Sequence, residues 1–361
     1  MSKKDVCPAK KTSIGGQALI EGIMMRGPKM TAMAVRNPKG EIVLEKWETK
    51  TTVKAKIFKL PIIRGVFGFI DSMRFGYKCL MRSAEISGLE EIEAEARIEK
   101  ARKKAEKAAK RRGEDFDAQA FVEKAKEDEA KNEKKESSAL TNLIMAIGVV
   151  LGVALAVSLF VVLPSYLFKW VSAALPFLRP EAPALASLYK SVFEGILKIV
   201  LLVGYMALVS LMKDIRKTFQ YHGAEHKTIF CYEHGQELTV ENVRREGRFH
   251  PRCGTSFLIL MLLVSIFISF FIDPIAIAIT GDVPPTWIRS IVKLLLLPII
   301  MGLGYELIKL AGRRDNLFTR IISAPGMWLH RLTVLEPTDD MIECAITAFV
   351  EVIPEDKSDK Y

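Results

Sequence analysis

Cysteine is scarce: five occur among 361 residues, too few and too scattered for the dense disulfide framework of a small secreted scaffold. All five lie outside the long apolar runs and read as reduced thiols or metal ligands. The opening MSKKDVCPAKK lacks an apolar core, so no cleavable signal peptide is expected. The formal charge is +10, but no basic stretch is interleaved with stacking aromatics, so no direct nucleic-acid binding is expected. A phosphate-cradling loop is missing as well. Gly15, Gly16, Gly22 and Gly27 do not have its spacing, and no Gly-Lys-Ser/Thr follows them.

Charge is also sparse in four runs of the second half: Leu140–Leu163, Leu188–Met212, Ser256–Ile279 and Ile288–Leu310. Each is long enough to cross a bilayer, which takes roughly 20 residues. Lys and Arg are dense before Leu140, between Met212 and Ser256, and after Leu310. The connections 164–187 and 271–287 hold only Lys169 and Arg179. The positive-inside rule then predicts a multi-pass cell-membrane protein, with the lipid bilayer as its main partner and both termini in the cytoplasm. The expected fold is mainly α: about four transmembrane helices, a small N-terminal β-hairpin module and a cytoplasmic charged helical insert.

Five segments follow. Residues 1–54 carry the Gly-rich SIGGQALIEGIMMRGP and then MAVRNPKGEIVLEKWE, read as a hairpin turning at Asn37-Pro38-Lys39-Gly40. Residues 55–87 contain LPIIRGVFGFIDSM, apolar but interrupted by Arg64 and Asp71, which suits an interfacial or re-entrant helix. Residues 88–138 are built of Glu, Lys, Ala and Arg and read as two charged helices divided at Gly113. Their plain role is a solvated spacer, and a cytoplasmic protein partner could dock there. Residues 139–311 form the four-span domain, with a cytoplasmic loop at 213–255. Residues 312–361 are a cytoplasmic C-terminal segment.

That loop concentrates the chemistry. Of five histidines, His222, His226, His234 and His250 fall within it, beside Cys231 and Cys253. The second span is expected to continue as one helix into His222 and His226, whose spacing of four puts both imidazoles on one face. His-x-x-Glu-His is the inverted zinc-peptidase pattern, with Glu225 as base toward a water acidified by the metal. A turn at Glu233–Gln236 and a brief helix at Val240–Arg245, capped by Thr239 and ended at Gly247, would return His250 and Cys253 to the pair. His222, His226, His250 and Cys253 are a plausible zinc set. Four protein ligands make a closed structural site, whereas catalysis keeps one position open. Spacing alone leaves both readings standing, as it does an ion pair of Glu225 with Lys227 or Lys217. Cys231 and His234 rank lower. Glu306 is a further candidate at the inner end of the last run, explained as well by snorkelling or by Lys309. Lys190, Glu194 and Lys198 recur every four residues and are expected to neutralise one another.

GGQALIEGIMMRGP, YHGAEHKTIFCYE and RFHPRCGTSFL together resemble the YqhQ-type bacterial membrane proteins, over most of the chain except 88–137. Members are described as predicted metal-dependent enzymes of unknown function. The resemblance implies a multi-pass membrane protein, supports His222, Glu225, His226, His250 and Cys253 as the functional cluster, and adds Gln17, Glu21 and Arg26 from the opening motif. The expected function is zinc-assisted hydrolysis at the cytoplasmic membrane face, with Glu225 as general base, on a peptide or lipid-linked substrate. Its rival is a non-enzymatic scaffold stapled by structural zinc. Metal transport ranks last, because the four runs contain no His or Cys.

Overall fold

A computed structural model describes residues 11–49, 60–112, 116–125, 138–178, 180–250, 253–313, 316–356 and 358–359. Short apolar runs punctuated by turns form an antiparallel sheet in the order β1 (Gly15–Leu19), β2 (Gly22–Arg26), β3 (Met30–Arg36) and β4 (Ile42–Glu48). The expected hairpin is β3–β4, with Arg36 opposite Ile42. Its turn is fixed by the Asn37 carboxamide oxygen, which accepts the N–H of Lys39 and Glu41, and by Gly40 at φ +85. The sheet is nevertheless twice that size. The Gly-rich opening stretch is itself a hairpin, turning at Ile20-Glu21 with Glu21 at φ +48.

Strand alternation assigns the two faces of the sheet. Ile23, Met25, Ala32 and Ala34 point to one core, and Met24, Met33 and Val35 to another. The second core closes on α1 (Ile63–Ile86) through Cys79, Phe75 and Leu80. The first closes on α6 (Lys213–Glu233) through Tyr221, Ala224 and Ile229, and on α12 (Asp339–Val350) through Ile342, Ala345 and Phe349. Each such buried aliphatic or aromatic side chain contributes about 1.5–3 kcal/mol. Chain start, histidine loop and chain end therefore share one core.

α1 is not among the helices apolar enough to span, and the preceding residues 50–59 lie outside those described. The charged insert contains α2 (Leu89–Arg112), where Arg102 pairs with Glu99 one turn away (2.7 Å), and a helical stretch at 118–125. Gly113 and residues 126–137 lie outside the described residues.

Among the described residues, three helices are long and apolar enough to cross a membrane, four if a bent pair counts as one. The first rod joins α3 (Ser138–Val157), a π-helical turn at Ser158–Val162 and α4 (Leu163–Ala174). It reaches beyond the expected end at Leu163, passing through Pro164 just after the π-helical turn without a break. The second is α5 (Pro183–Val209) and the third α8 (Gly254–Thr280). The pair α9 (Thr286–Leu295) and α10 (Leu297–Arg313) bends by 47°. The short helix α7 (Val240–Arg245) lies between α6 and α8, and α11 (Leu317–Thr333) follows α10.

Two expectations about α5 are corrected. It does not run into the histidines, because the helix breaks at residues 210–212, with Met212 extended. The break lets α6 turn and lay its apolar face on the sheet. Nor does Glu194 pair along its own helix. Its carboxylate meets the Lys293 ammonium of α9, which a packed neighbour delivers directly and a same-helix lysine reaches only by folding back.

Candidate metal centre

α6 supplies His222, Glu225 and His226 from adjacent turns. Cys253 arrives from the other side as the N-cap of α8, its sulfur accepting the N–H of Thr255 (3.4 Å). The ligand atoms of His222, His226 and Cys253 lie within 4.8 Å of one another, so this buried cluster could hold a metal ion. His222 Nε2 is 2.9 Å from Cys253 Sγ.

Both ring orientations are fixed by backbone oxygens. His222 Nδ1 lies 3.0 Å from Thr333 O at the end of α11, and His226 Nδ1 lies 2.6 Å from Arg248 O. A carbonyl only accepts, so each Nδ1 carries the proton and each Nε2 is left as the coordinating nitrogen. Metal-binding histidines are usually held by such outer partners. The 3.4 Å approach of the His250 N–H to the same His226 Nδ1 is then only van der Waals contact. His226 Nε2 is buried with no hydrogen-bond partner among the described residues. An orphaned imidazole nitrogen beside a second imidazole and a thiol is a donor set that suits zinc.

Electrostatics follow from burial and proximity. Burial opposes the Cys253 thiolate, but His222 and His226 hold the thiol well below its ordinary value. Burial also works against the His222 cation, yet the Cys253 sulfur pushes that ring up to about 9. Burial pushes His226 down to about 4. It pushes the Glu225 carboxyl up to about 7, against the pull of His222 and of the Gly16 N–H. That N–H donates to Glu225 Oε1 at 3.0 Å, so the opening motif touches the site through its backbone. A Cβ at Gly16 would meet Met24 O at 2.7 Å, so the strand can come this close only as glycine.

The other expected residues sit elsewhere. His250 is buried beside Glu233, its Nε2 3.5 Å from Glu233 Oε2, rather than with the three ligand atoms. The intervening Pro251 and Arg252 lie outside the described residues. Neither lysine proposed for Glu225 reaches it: Lys227 pairs with Glu336 (2.5 Å) and Lys217 with Glu21 (2.6 Å). Arg26 pairs with Asp71 (3.4 Å), and Gln17 packs against Gly76 of α1. Gln17 and Arg26 do line, with Gly16, a cleft of about 430 Å³. Glu306 is gripped chiefly by Arg64 of α1, which packs on α10 and presents a guanidinium to both oxygens, while Lys309 attracts it more weakly. His234 meets Glu246 (2.9 Å), and the Cys231 thiol meets Glu237 O (3.4 Å). The short helix α7 spans Val240–Arg245 and is capped by Thr239, as expected; its C-cap is Glu246, and Gly247 follows without a left-handed φ.

One neighbour escapes sequence reading. His330 is fully buried, with its ring 5.3 Å from that of His226 and its Nε2 3.2 Å from Ser256 Oγ. It precedes Thr333 by one turn of α11, and the only hint in the sequence is that it is the fifth histidine.

The comparisons with known proteins accord with the resemblance read from the motifs. Uncharacterized protein YqhQ of Bacillus subtilis (strain 168) is 31% identical over 356 residues, covering 98% of this chain and 95% of that protein. No solved structure matches. The family described as protein of unknown function (DUF1385) matches residues 60–355. A match of that extent, with identity running almost end to end, means that the chain belongs to the DUF1385 family.

Proposed function

We propose that this protein is a multi-pass membrane enzyme that carries out zinc-assisted hydrolysis at the cytoplasmic membrane face, on a peptide or lipid-linked substrate. The observation that carries this reading is the convergence, among the described residues, of three ligand atoms beside a buried carboxyl one helical turn away. His222 Nε2, His226 Nε2 and Cys253 Sγ would hold the ion and leave a coordination position open, as catalytic sites do. Zinc there supplies a Lewis acid for a scissile carbonyl or phosphoryl group. Glu225 takes the proton of the attacking water and passes it to the leaving group. Its environment favours that role, since a base that titrates near the working pH is most effective. The Gly16 N–H fixes which Glu225 oxygen is free to act. Substrate would approach through the cleft lined by Gln17 and Arg26.

A four-crossing arrangement supports this placement. Residues from the sheet, α6 and α12 share one core, so the segments before α3, between α5 and α8, and after α10 all belong on one side of the bilayer. Only an even number of crossings allows that, which makes the bent α9–α10 pair the fourth. The lysines and arginines of these segments put that side in the cytoplasm.

The test combines metal content with turnover. Purified wild-type protein should carry close to one zinc per chain, and His226→Ala should lose it. Glu225→Gln should keep the zinc. Incubated with peptide and lipid extracts of its own membrane, wild type should yield a hydrolysis product by mass spectrometry that Glu225→Gln does not. Zinc retention with identical product profiles would instead mean a structural staple, and a scaffold that docks its partner on residues 88–138.

A further inference from the structure

The opposite end of the helical bundle holds a second polar assembly, independent of the metal centre. Asp273 lies about 20 residues along α8 from Cys253, roughly 30 Å at the helical rise. There Arg289 of α9 pairs with Asp273 at 2.7 Å, and Lys293 pairs with Glu194 of α5. Hydroxyls fill the gaps: Ser165 and Ser187 each donate to a carboxylate at 2.8 Å. Lys198 adds a third cation, 3% exposed and without an ion-pair or hydrogen-bond partner among the described residues.

Charge does not balance here. Three buried cations, Lys198, Arg289 and Lys293, face two buried carboxylates, Glu194 and Asp273. Lys190, on the same face of α5, also senses Arg289 and Glu194. Surplus charge among spanning helices is expensive and marks functional sites. Arg289 Nε is buried with no hydrogen-bond acceptor among the described residues, so a guanidinium donor is left over as well as a charge.

Helix geometry is irregular at this same level in three elements. The π-helical turn at Ser158–Val162 comes just before Ser165, Pro274 removes a backbone donor inside α8 next to Asp273, and the α9–α10 bend follows Lys293 at Leu296. π-turns recur at functional sites, and interrupted helices line the intramembrane sites of transporters. A purely structural ion pair needs neither the breaks nor the extra cation.

We propose that this cluster is an anion site within the bundle that takes a phosphate group, with Lys198, Arg289 and Lys293 as its cationic wall. Phosphate offers several acceptor oxygens and at least one negative charge, which together meet the spare Arg289 donor and the uncompensated Lys198. The source is either inorganic phosphate or the headgroup of a phospholipid entering from the surrounding bilayer.

The test uses the full chain in phosphatidylcholine nanodiscs and follows its unfolding midpoint. One arm titrates inorganic phosphate. The other replaces part of the lipid with phosphatidic acid, against the phosphate-free anion oleate as a control for general negative charge. A saturable rise with inorganic phosphate identifies a free anion, and a rise with phosphatidic acid alone identifies a headgroup. Either should weaken at least tenfold in Lys198→Met and survive in Lys198→Arg. Lys198→Gln serves in place of Lys198→Met if that variant does not fold. No rise with either probe overturns the proposal, as does a rise that removing the Lys198 charge leaves unchanged.

Discussion

At Glu225 burial favours the neutral acid, while the Gly16 N–H and the His222 ring favour the anion, and burial prevails. In the folded chain the carboxyl keeps its proton up to about pH 7, whereas an unperturbed carboxyl releases it near 4.5. Between those values the folded state binds more protons than the unfolded one, so stability falls as pH rises through the window. The cost approaches on the order of 3 kcal/mol above it. Glu225→Gln keeps the acceptor toward Gly16 and removes the charge. In metal-free protein its urea midpoint should match wild type near pH 4.5 and exceed it progressively up to pH 8. A constant difference across that range would refute the assignment. The trio His222, His226 and Cys253 was legible in His-x-x-Glu-His and His-Pro-Arg-Cys, because helical spacing and ligand chemistry both appear in sequence. The turning of His250 toward Glu233 was not, since spacing does not say which way a ring points. The hold of Gly16 on Glu225 was equally hidden, since a backbone donor has no side-chain signature.

Gly223 decides how closely α6 can lie against the strap leading into α12. A Cβ there would stand 2.0 Å from Leu335 O. That carbonyl cannot retreat freely, because the Leu335 N–H is bonded to Phe219 O at 3.0 Å. Gly223→Ala should cost about 2 kcal/mol in chemical denaturation, in the range for overpacked sites. It should also weaken zinc binding, because Thr333 O, two residues from Leu335, orients His222. Gly247→Ala meets open space and should leave both quantities unchanged. Comparable losses in the two variants would mean that the close approach of α6 to Leu335 does not govern the site. At this scale the sequence spoke where turn chemistry was explicit. Asn37-Pro38-Lys39-Gly40 announced β3–β4, whereas β1–β2 turns on Ile20-Glu21, which carries no Gly, Pro or Asn. The break at residues 210–212 contains none of these residues either. It comes from the docking of α6 on the sheet, a long-range cause that a local pattern does not carry.

The bundle and the sheet-bearing module meet where α5 and α8 join the histidine loop, and the side of the bilayer on which that module sits is open to direct measurement. Asp282→Cys should react with an impermeant maleimide on intact cells, since the 281–285 turn lies at the far end of the bundle. Lys39→Cys and Glu343→Cys should react only after lysis. The native cysteines among the described residues are buried and should stay silent. Labelling of Glu343→Cys in intact cells would break the four-crossing arrangement. The core shared by the chain's opening strands and α12 has a consequence for biosynthesis. Strands completed among the first fifty residues must wait, half covered, while the ribosome delivers every helix in between. Ile342 and Phe349 then emerge and seal the module. Until that moment Ile23, Met25, Ala32 and Ala34 lack part of their cover, so the opening strands reach their final packing only in the finished molecule.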